Sequence, residues 1–291
     1  MKKKMGEHDG EVTRVLKRVA QTLGSGKFDE ALRDLLHLSE KYPDAGEIRP
    51  QIAEVLLRRG ESRARKGKVK EARDDFERSL RWTNKPAALV ALARSLMSEG
   101  KLDEADRRLN EALEIDDRYG PTHETLGLLM LAWEEYATAA RAFEQALGCG
   151  GYASPDLYRG VWEAYMKLER FDRAHDLIME GVERFPGNDV IQAMAGDSFV
   201  FAKGDSDEAR PYWEKALAIN PRNFGALFNL AADAAGRSDR DRSLEYLRRC
   251  AGLDLERTRK LWRDDLSSPM KKFGEFARDP EFRRALGWEN D

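Results

Sequence analysis

The chain has 291 residues, of which 35% are charged and 41% are hydrophobic, and it contains only 10 prolines. This composition favours a helical protein with a packed core and excludes general disorder. The formal net charge of −3 arises from 50 basic and 53 acidic residues, and such a balance disfavours a protein devoted to nucleic acid or to an anionic membrane, because both favour basic surfaces.

The start of the chain is basic and polar, and we expect residues 1–11 to form a flexible tail. Three lysines follow Met1, as at the start of a signal peptide, but acidic residues stand where an apolar stretch would have to follow. No apolar run elsewhere reaches the length of a membrane-spanning helix. The sequence therefore predicts a cytoplasmic protein without a membrane span.

A sequence motif, which we call the phrase, recurs along the chain. It consists of a bulky, a small and a second bulky residue, with the small residue three positions after the first and four positions before the last. This spacing places the three side chains on one face of a helix, where the small residue lets a neighbouring helix approach. The small residue recurs at intervals of 41, 33, 34, 35, 35 and 34 residues. The phrases are Phe28/Ala31/Leu35, Val69/Ala72/Phe76, Leu102/Ala105/Leu109, Tyr136/Ala139/Phe143, Phe171/Ala174/Ile178, Ser206/Ala209/Trp213 and Arg240/Ser243/Leu247.

Upstream of each phrase lies a first helix with its own apolar stripe, which ends at a turn. Four of these turns carry a glycine, which adopts a left-handed backbone at little cost: Gly26, Gly67, Gly100 and Gly204. In the other three repeats, the turn position is Glu134, Glu169 or Ser238, and no glycine marks it. Each repeat is therefore predicted to be a pair of helices.

A period near 34 residues with two helices in each period resembles the tetratricopeptide repeat. Leu126-Gly127, Ala139, Phe143 and Ala146 match the pattern of that family best. The resemblance covers residues 12–257 as seven units. It implies an all-α fold, a right-handed solenoid of helical hairpins, because stacked repeats bury one continuous core.

Two features depart from the repeat. An insert near residues 44–50 follows the first unit, and it either bulges outward or breaks the stacking between the first unit and the second. After the seventh unit the pattern becomes aromatic, with Phe273, Phe276 and Phe282, and Asp279-Pro280 is typical of a helix start. We predict capping helices over residues 258–291, because a terminal repeat would otherwise expose its stacking surface; a separate docking helix is the alternative.

Residue types that carry catalysis or bind cofactors are scattered in this chain. The four histidines form no metal-binding cluster, and no glycine-rich phosphate-binding motif occurs. Cys149 and Cys250 form no CxxC pair, which favours a reducing compartment. We predict no catalytic, cofactor or metal site; an enzyme with a dispersed site would have Cys149 as its candidate thiol, but no histidine partner is evident.

The resemblance implies that the first helices line a concave groove in which ligands lie. The residues expected there are Val90, Arg94, Met97, Leu128, Leu131, Arg159, Glu163, Met166, Met194, Ser198, Phe201 and Phe228. This largely apolar, methionine-rich lining suits an apolar peptide or an amphipathic helix. It lacks the lysine and asparagine set by which chaperone-binding members of the family grip a carboxylate. Alternatively, these residues pack against neighbouring helices, or the C-terminal helices of the chain itself occupy the groove.

A basic run interrupts the even charge pattern. It comprises Arg58, Arg59, Arg63, Arg65, Lys66, Lys68 and Lys70. Such a cluster could dock an acidic segment or an RNA backbone, or it could be a solvated helix face. We therefore predict a non-enzymatic protein-binding scaffold or adaptor, with a nucleic-acid-associated repeat protein as the alternative and homo-oligomerisation left open.

Overall fold

The structure is a computed structural model that describes residues 2–269 and 271–288. For residues 2–9 it describes the backbone alone. The chain divides into two units, Met1–Tyr152 and Ala153–Asp291. The predicted repeat array over residues 12–257 therefore includes parts of both. No helix in the described part is both long and apolar enough to cross a membrane.

The described part of unit 1 forms four helical hairpins. Its helices are α1 (Lys2–Gly24), α2 (Phe28–Lys41), α3 (Ile48–Arg65), α4 (Val69–Trp82), α5 (Pro86–Ser98), α6 (Leu102–Ile115), α7 (Gly120–Ala132) and α8 (Tyr136–Gly148). Each odd-numbered helix packs against the even-numbered helix that follows it. Helix α5 also contacts both α3 and α7, so these three first helices lie side by side.

Unit 2 continues the pattern with three hairpins and a terminal segment. Its elements are α9 (Pro155–Lys167), α10 (Phe171–Arg184), α11 (Asp189–Lys203), α12 (Ser206–Ile219), α13 (Phe224–Gly236), α14 (Arg240–Leu253), α15 (Leu255–Ser267), a 3₁₀ turn (Gly274–Phe276) and α16 (Pro280–Ala285). Helix α11 contacts both α9 and α13. The prediction of an all-α fold, built from seven helical hairpins with a C-terminal helical cap, is confirmed.

The small residues of the repeat lie where two helices cross. Ala72, Ala105 and Ala139 have no exposed surface. Opposite them, a Cβ atom added to Gly60 would lie 2.4 Å from the ring of Phe76. Such a separation is too short for any side chain, so glycine allows the large ring to fill the crossing.

The hairpin turns have a left-handed residue whether or not that residue is glycine. Glu134, Glu169 and Ser238 have φ angles of 60°, 57° and 59°, close to the 76° of Gly100. In these turns a backbone N–H bonds the carbonyl five residues earlier, as from Arg170 N to the Tyr165 carbonyl at 2.9 Å. These bonds satisfy carbonyl groups at the helix end, which offsets the cost of a left-handed residue with a side chain.

The N-terminal region differs from the sequence prediction in two respects. Helix α1 begins at Lys2, so residues 2–11, which we expected to form a tail, belong to a helix; their flexibility stays a prediction, and Met1 lies outside the described residues. The predicted insert near 44–50 contributes its last residues to α3, which has 18 residues. Stacking is kept across it, because Ile48 and Ile52 share a buried cluster with Leu35.

The C-terminal segment folds back on the last hairpin. Trp262, Phe273, Phe276 and Phe282 form one buried cluster together with side chains of the last hairpin: Ala231, Ala235, Leu244 and Leu247. The side chain of Asp279 caps α16 by accepting from the N–H of Glu281 at 2.8 Å, as the sequence predicts. The cap begins at α15 rather than at residue 258, and residues 270 and 289–291 of the predicted cap lie outside the described residues.

Candidate functional site

The first helices of unit 1 enclose a groove of about 600 Å³. This unit 1 groove is lined by α3, α4, α5, the start of α7 and the segments before α7 and after α8. Val90 and Arg94, both expected from the sequence, line it. Its volume lies in the range of pockets that hold a small molecule or a few side chains of a partner.

Small apolar residues of α5 form the floor of the unit 1 groove. Ala87 and Ala91 lie one helical turn apart, with Val90 between them, and Val69 and Phe76 of α4 complete the apolar surface. Val90 is only 4% exposed, so it supports the floor rather than projecting into solvent. Alanine leaves the space open, because a larger residue at either position would fill it.

A buried carboxylate orders one wall of the groove. Glu124 of α7 is 3% exposed, and it accepts a hydrogen bond from the hydroxyl of Tyr152. Arg94 lies 3.7 Å from the same carboxylate, and its Nε donates to Thr125 Oγ1 at 3.0 Å. The side chain of Arg94 is nonetheless 47% exposed, so its terminal nitrogens can still reach a ligand.

Three polar side chains of the groove make no ion pair or hydrogen bond with any described residue: Glu61, Arg65 and Tyr119. Glu61 and Arg65 are exposed, whereas Tyr119 is partly buried. Burial raises the pKa of Tyr119, so its hydroxyl stays protonated and can donate at neutral pH. Besides Arg94, the groove therefore presents one anionic, one cationic and one neutral group to whatever enters it.

The sequence prediction missed part of this site. Glu124 precedes Ala139 by as many residues as Val90 precedes Ala105, so equal spacing would have found it. Tyr119 and Tyr152 lie in connecting segments outside the repeated phrase, and spacing gives no signal for them. Of the other residues expected in unit 1, Met97 packs against the core, and Leu128 and Leu131 are partly buried; these three are not among the lining residues.

Arg159, Glu163 and Met166 lie on α9 in unit 2, as expected, and all three are partly buried. Arg159 pairs with Glu163 at 3.7 Å and with Asp156 at 3.4 Å. These charges are therefore partly balanced within α9 itself.

Helix α11 contains one residue more than the repeat spacing implies. Phe76 and Phe143 each follow their partner glycine, Gly60 and Gly127, by sixteen residues, whereas Trp213 follows Gly196 by seventeen. The turn after α11 reflects the same addition, because the N–H of Asp205 bonds the carbonyl six residues back, that of Phe199.

The prediction of Ser198 as a groove residue is therefore wrong, and that of Met194 stays a prediction. Met194 is 8% exposed and Ser198 is 1% exposed. Ser198 Oγ lies 2.8 Å from Nδ1 of His175 on α10, so it faces the neighbouring helix. Phe201 is 54% exposed, and its ring stacks on that of Phe171 of α10 with a centroid distance of 5.9 Å.

The extra residue brings Asp197 to the place of Arg94 in the repeat. Asp197 accepts hydrogen bonds at one oxygen from Trp213 Nε1 at 2.8 Å and from Asn229 Nδ2 at 2.5 Å. Asn229 lies on the following first helix, as Thr125 does relative to Arg94. Burial without a cationic partner raises the pKa of Asp197 to about 6, so this carboxyl titrates at a mildly acidic pH.

The C-terminal segment of the chain covers Phe228. The ring of Phe228 lies 5.6 Å from that of Phe273, and Phe273, which has no exposed surface, stacks on Trp262 at 4.5 Å. Of the alternatives for the predicted groove, this contact favours occupation by the chain's own C-terminal segment at Phe228, which is partly buried against the cluster.

The basic run does not form a single face. Arg59 Nε donates to Asp75 Oδ2 at 2.9 Å, and Arg63 donates to the same oxygen at 2.6 Å. Asp75 is fully buried, and its hydrogen bond is the main reason that the pKa of Arg59 is raised. Arg58 pairs with Glu54 at 2.5 Å.

Four cations of the run, Arg65, Lys66, Lys68 and Lys70, are exposed, and Arg65 lines the unit 1 groove. Docking of an acidic segment or a nucleic acid on them stays a prediction.

The sequence did indicate that Arg59 would face the interior, because it occupies the position that is leucine in other first helices: Leu92, Leu126 and Leu230.

The candidate thiol is set in surroundings that oppose reactivity. Cys149 Sγ donates to the carbonyl of Gln145 at 3.2 Å, and burial raises its pKa. Burial also raises the pKa of Cys250, to about 12. A reactive cysteine needs a stabilised thiolate, and both environments favour the thiol.

Comparisons with known proteins agree with this architecture. A family model described as tetratricopeptide repeat matches residues 23–88, and among curated proteins no sequence matches significantly. The fold is similar to that of pilF from Pseudomonas aeruginosa, with 16% identity, a TM-score of 0.64, and coverage of 79% of this chain and 99% of the other. It is also similar to a tetratricopeptide repeat protein from Parabacteroides merdae, with 16% identity, a TM-score of 0.57, and coverage of 86% and 96%.

A third similar structure is that of YrrB, described as a tetratricopeptide repeat protein with an unusual peptide-binding site. It has 22% identity and a TM-score of 0.50, and the match covers 62% of this chain and 92% of YrrB. With the hairpin contacts and the repeated glycine–aromatic crossings, these matches define the class of fold: the chain has the fold of a tetratricopeptide repeat protein, and residues 23–88 match the model of that family. This fold is typical of scaffolds for protein–protein interactions.

Proposed function

We propose that the protein is a non-enzymatic scaffold or adaptor that binds a segment of a partner protein in the unit 1 groove. The observation that carries this proposal is the combination of an open apolar floor with unpaired polar groups at its sides. Apolar contact gives affinity, and a few placed polar groups give orientation and specificity. The peptide-binding site of YrrB supports the same use of this fold.

The partner segment we propose is an amphipathic helix of mixed charge. Glu61 and Arg65 offer opposite charges, and Arg94 is already opposed by the buried Glu124, so the groove favours neither a strongly acidic nor a strongly basic ligand. Apolar side chains on the floor contribute about 1.5–3 kcal/mol each. Because association costs offset much of this gain, we expect a dissociation constant in the micromolar range.

The proposal is tested by filling the floor. Peptides are selected from a display library on the wild-type protein, and their affinity is measured for the Ala91→Trp variant. Ala137→Trp is the matched control, because Ala137 is exposed near the start of the second helix α8 and does not line the groove.

We expect selected peptides to bind the wild type and the Ala137→Trp variant alike and to lose at least about tenfold in affinity for the Ala91→Trp variant, a difference of about 1.4 kcal/mol. Equal binding to all three proteins would refute the groove as the site. Failure to select any peptide would refute peptide binding itself. Cytoplasmic residence and homo-oligomerisation stay predictions.

A further inference from the structure

Helix α3 carries two pairs of an acidic and a basic residue with the same spacing, of which one forms an ion pair and the other does not. Glu54 and Arg58, four residues apart, form an ion pair at 2.5 Å. Glu61 and Arg65, also four residues apart on the same helix, form none, with each other or with any other described residue. Both line the unit 1 groove, so the groove holds two opposite charges whose partners must come from outside or from solvent.

The two charges have a fixed order along the groove wall. Four residues of an α-helix span about 6 Å along its axis, with Glu61 towards the N-terminus of α3 and Arg65 towards its C-terminus. An acid followed by a base at this spacing is the favourable arrangement for an internal pair, yet such an exposed pair is only weakly stabilising. A ligand that supplies both partners can therefore outcompete it.

We infer that the unit 1 groove selects its partner helix by the order of two charges, a basic side chain facing Glu61 and an acidic one facing Arg65. This inference rests on the proposed function. A helix lying along α3 has the same rise per residue, so side chains four residues apart on its surface match Glu61 and Arg65. Apolar side chains between them then face the floor at Ala91 and Val90.

The test uses two labelled amphipathic helices of identical composition and about 18 residues, long enough to be helical. Both carry the same leucine stripe, and they differ only in order: lysine four residues before glutamate, or glutamate four residues before lysine. Fluorescence anisotropy gives their affinities for the wild type and for the charge-swapped Glu61→Arg/Arg65→Glu variant. Both residues are exposed, and circular dichroism checks that the variant folds.

We expect the wild type to prefer one peptide by about tenfold, the charge-swapped variant to prefer the other, and both preferences to collapse at high salt. The matched control is Arg108→Glu/Glu111→Arg, because these residues pair at 2.9 Å on the second helix α6 and do not line the groove. This control keeps the wild-type preference.

The outcomes separate the inference from the proposed function. Binding of both peptides with no reversal in the charge-swapped variant would overturn charge selection and leave peptide binding in place. Binding of neither peptide would overturn the helical occupant and the inference together, and would point to an extended segment or a small molecule instead. A reversal in the α6 control as well would assign the effect to long-range charge rather than to the groove.

Discussion

The indole of Trp213 occupies the space that a Cβ atom of residue 196 would need. A Cβ added to Gly196 would lie 2.4 Å from Trp213 Nε1, and Trp213 itself is 4% exposed. The same contact joins Gly127 to Phe143 in unit 1, at 2.5 Å. This pairing of glycine with a large ring fixes how α11 sits on α12, and the neighbouring Asp197 accepts a hydrogen bond from Nε1 of the same ring.

Gly196→Ala is expected to destabilise the protein, because the ring cannot move away without disturbing a buried cluster. Overpacking of this kind costs about 1–3 kcal/mol. Gly252→Ala is the matched control: Gly252 is also helical, with nothing within 4 Å of an added Cβ, so it gains up to about 1 kcal/mol from the loss of glycine flexibility. Thermal unfolding of both variants measures the difference. Equal melting temperatures would contradict the close contact of Gly196 with Trp213 at the helix crossing.

Asp197→Asn is expected to stabilise unit 2 at neutral pH. The pKa of Asp197 is raised to about 6 in the folded state, against about 3.9 in an unfolded chain, so the folded state is favoured by protonation and loses that advantage as pH rises from about 4 to 6. Asparagine keeps an acceptor for Trp213 and Asn229 and removes the desolvated charge. The expected gain is at most about 3 kcal/mol at pH 8.

The gain from Asp197→Asn should shrink as the pH is lowered towards 4.5, as measured by urea unfolding at several pH values. Asp207→Asn serves as the control of opposite sign. The pKa of Asp207 is lowered, chiefly by its hydrogen bond to Arg210, so its charge stabilises the folded state at neutral pH and that variant should lose stability there. A pH-independent gain from Asp197→Asn would show that the carboxyl is not perturbed as described.

Asp75→Ala is expected to destabilise unit 1 strongly, because it removes the buried acceptor that Arg59 and Arg63 share and leaves Arg59 with the exposed Asp29 as its remaining partner. The Arg59 side chain is 10% exposed, and loss of one partner of a buried ion pair costs about 3–5 kcal/mol. The double variant Arg59→Leu/Asp75→Ala should recover most of this loss, since Leu126 and Ala142 occupy the matching positions of the α7–α8 hairpin. Urea unfolding measures the stability of the single and the double variant. A double variant no more stable than Asp75→Ala would contradict the proposed role of the Arg59–Asp75 ion pair.

Phe273→Ala is expected to loosen the C-terminal cap, at a cost of about 3–5 kcal/mol for removal of a buried ring. Hydrogen exchange should accelerate in α13, α14 and α15, which pack on the cluster around it. Phe201→Ala is the control, because Phe201 is more than half exposed and its loss should cost far less. Unchanged exchange in α13 would mean that the cap does not protect the last hairpin.

The repeated pattern in the sequence was sufficient to predict the hairpins, because Ala72, Ala105 and Ala139 report directly on helix crossings. It was not sufficient to predict which side chains of a helix lie at the surface. One additional residue in α11 rotates every side chain by about 100° around the helix axis, which is why Ser198 faces α10 and Asp197 takes its place.

Pairing between helices was equally hidden from a single-sequence pattern. Arg59 looked like part of a solvated basic run because its partner Asp75 lies sixteen residues away on another helix. The contact of Phe228 with Phe273 was open only as an alternative, because nothing in the repeat indicates where Phe273 folds back. These features depend on tertiary contacts, which periodicity within one helix does not encode.

The aromatic cap also sets a rule for lengthening this protein by design. Ala231, Ala235, Leu244 and Leu247 form the face on which another hairpin would have to stack, and the cap cluster already buries that face. A repeat fused after residue 288 would therefore meet the outside of the cap and gain no hairpin contact. To extend the repeat array, the new hairpin would have to replace α15 and the aromatic segment and follow α14 directly.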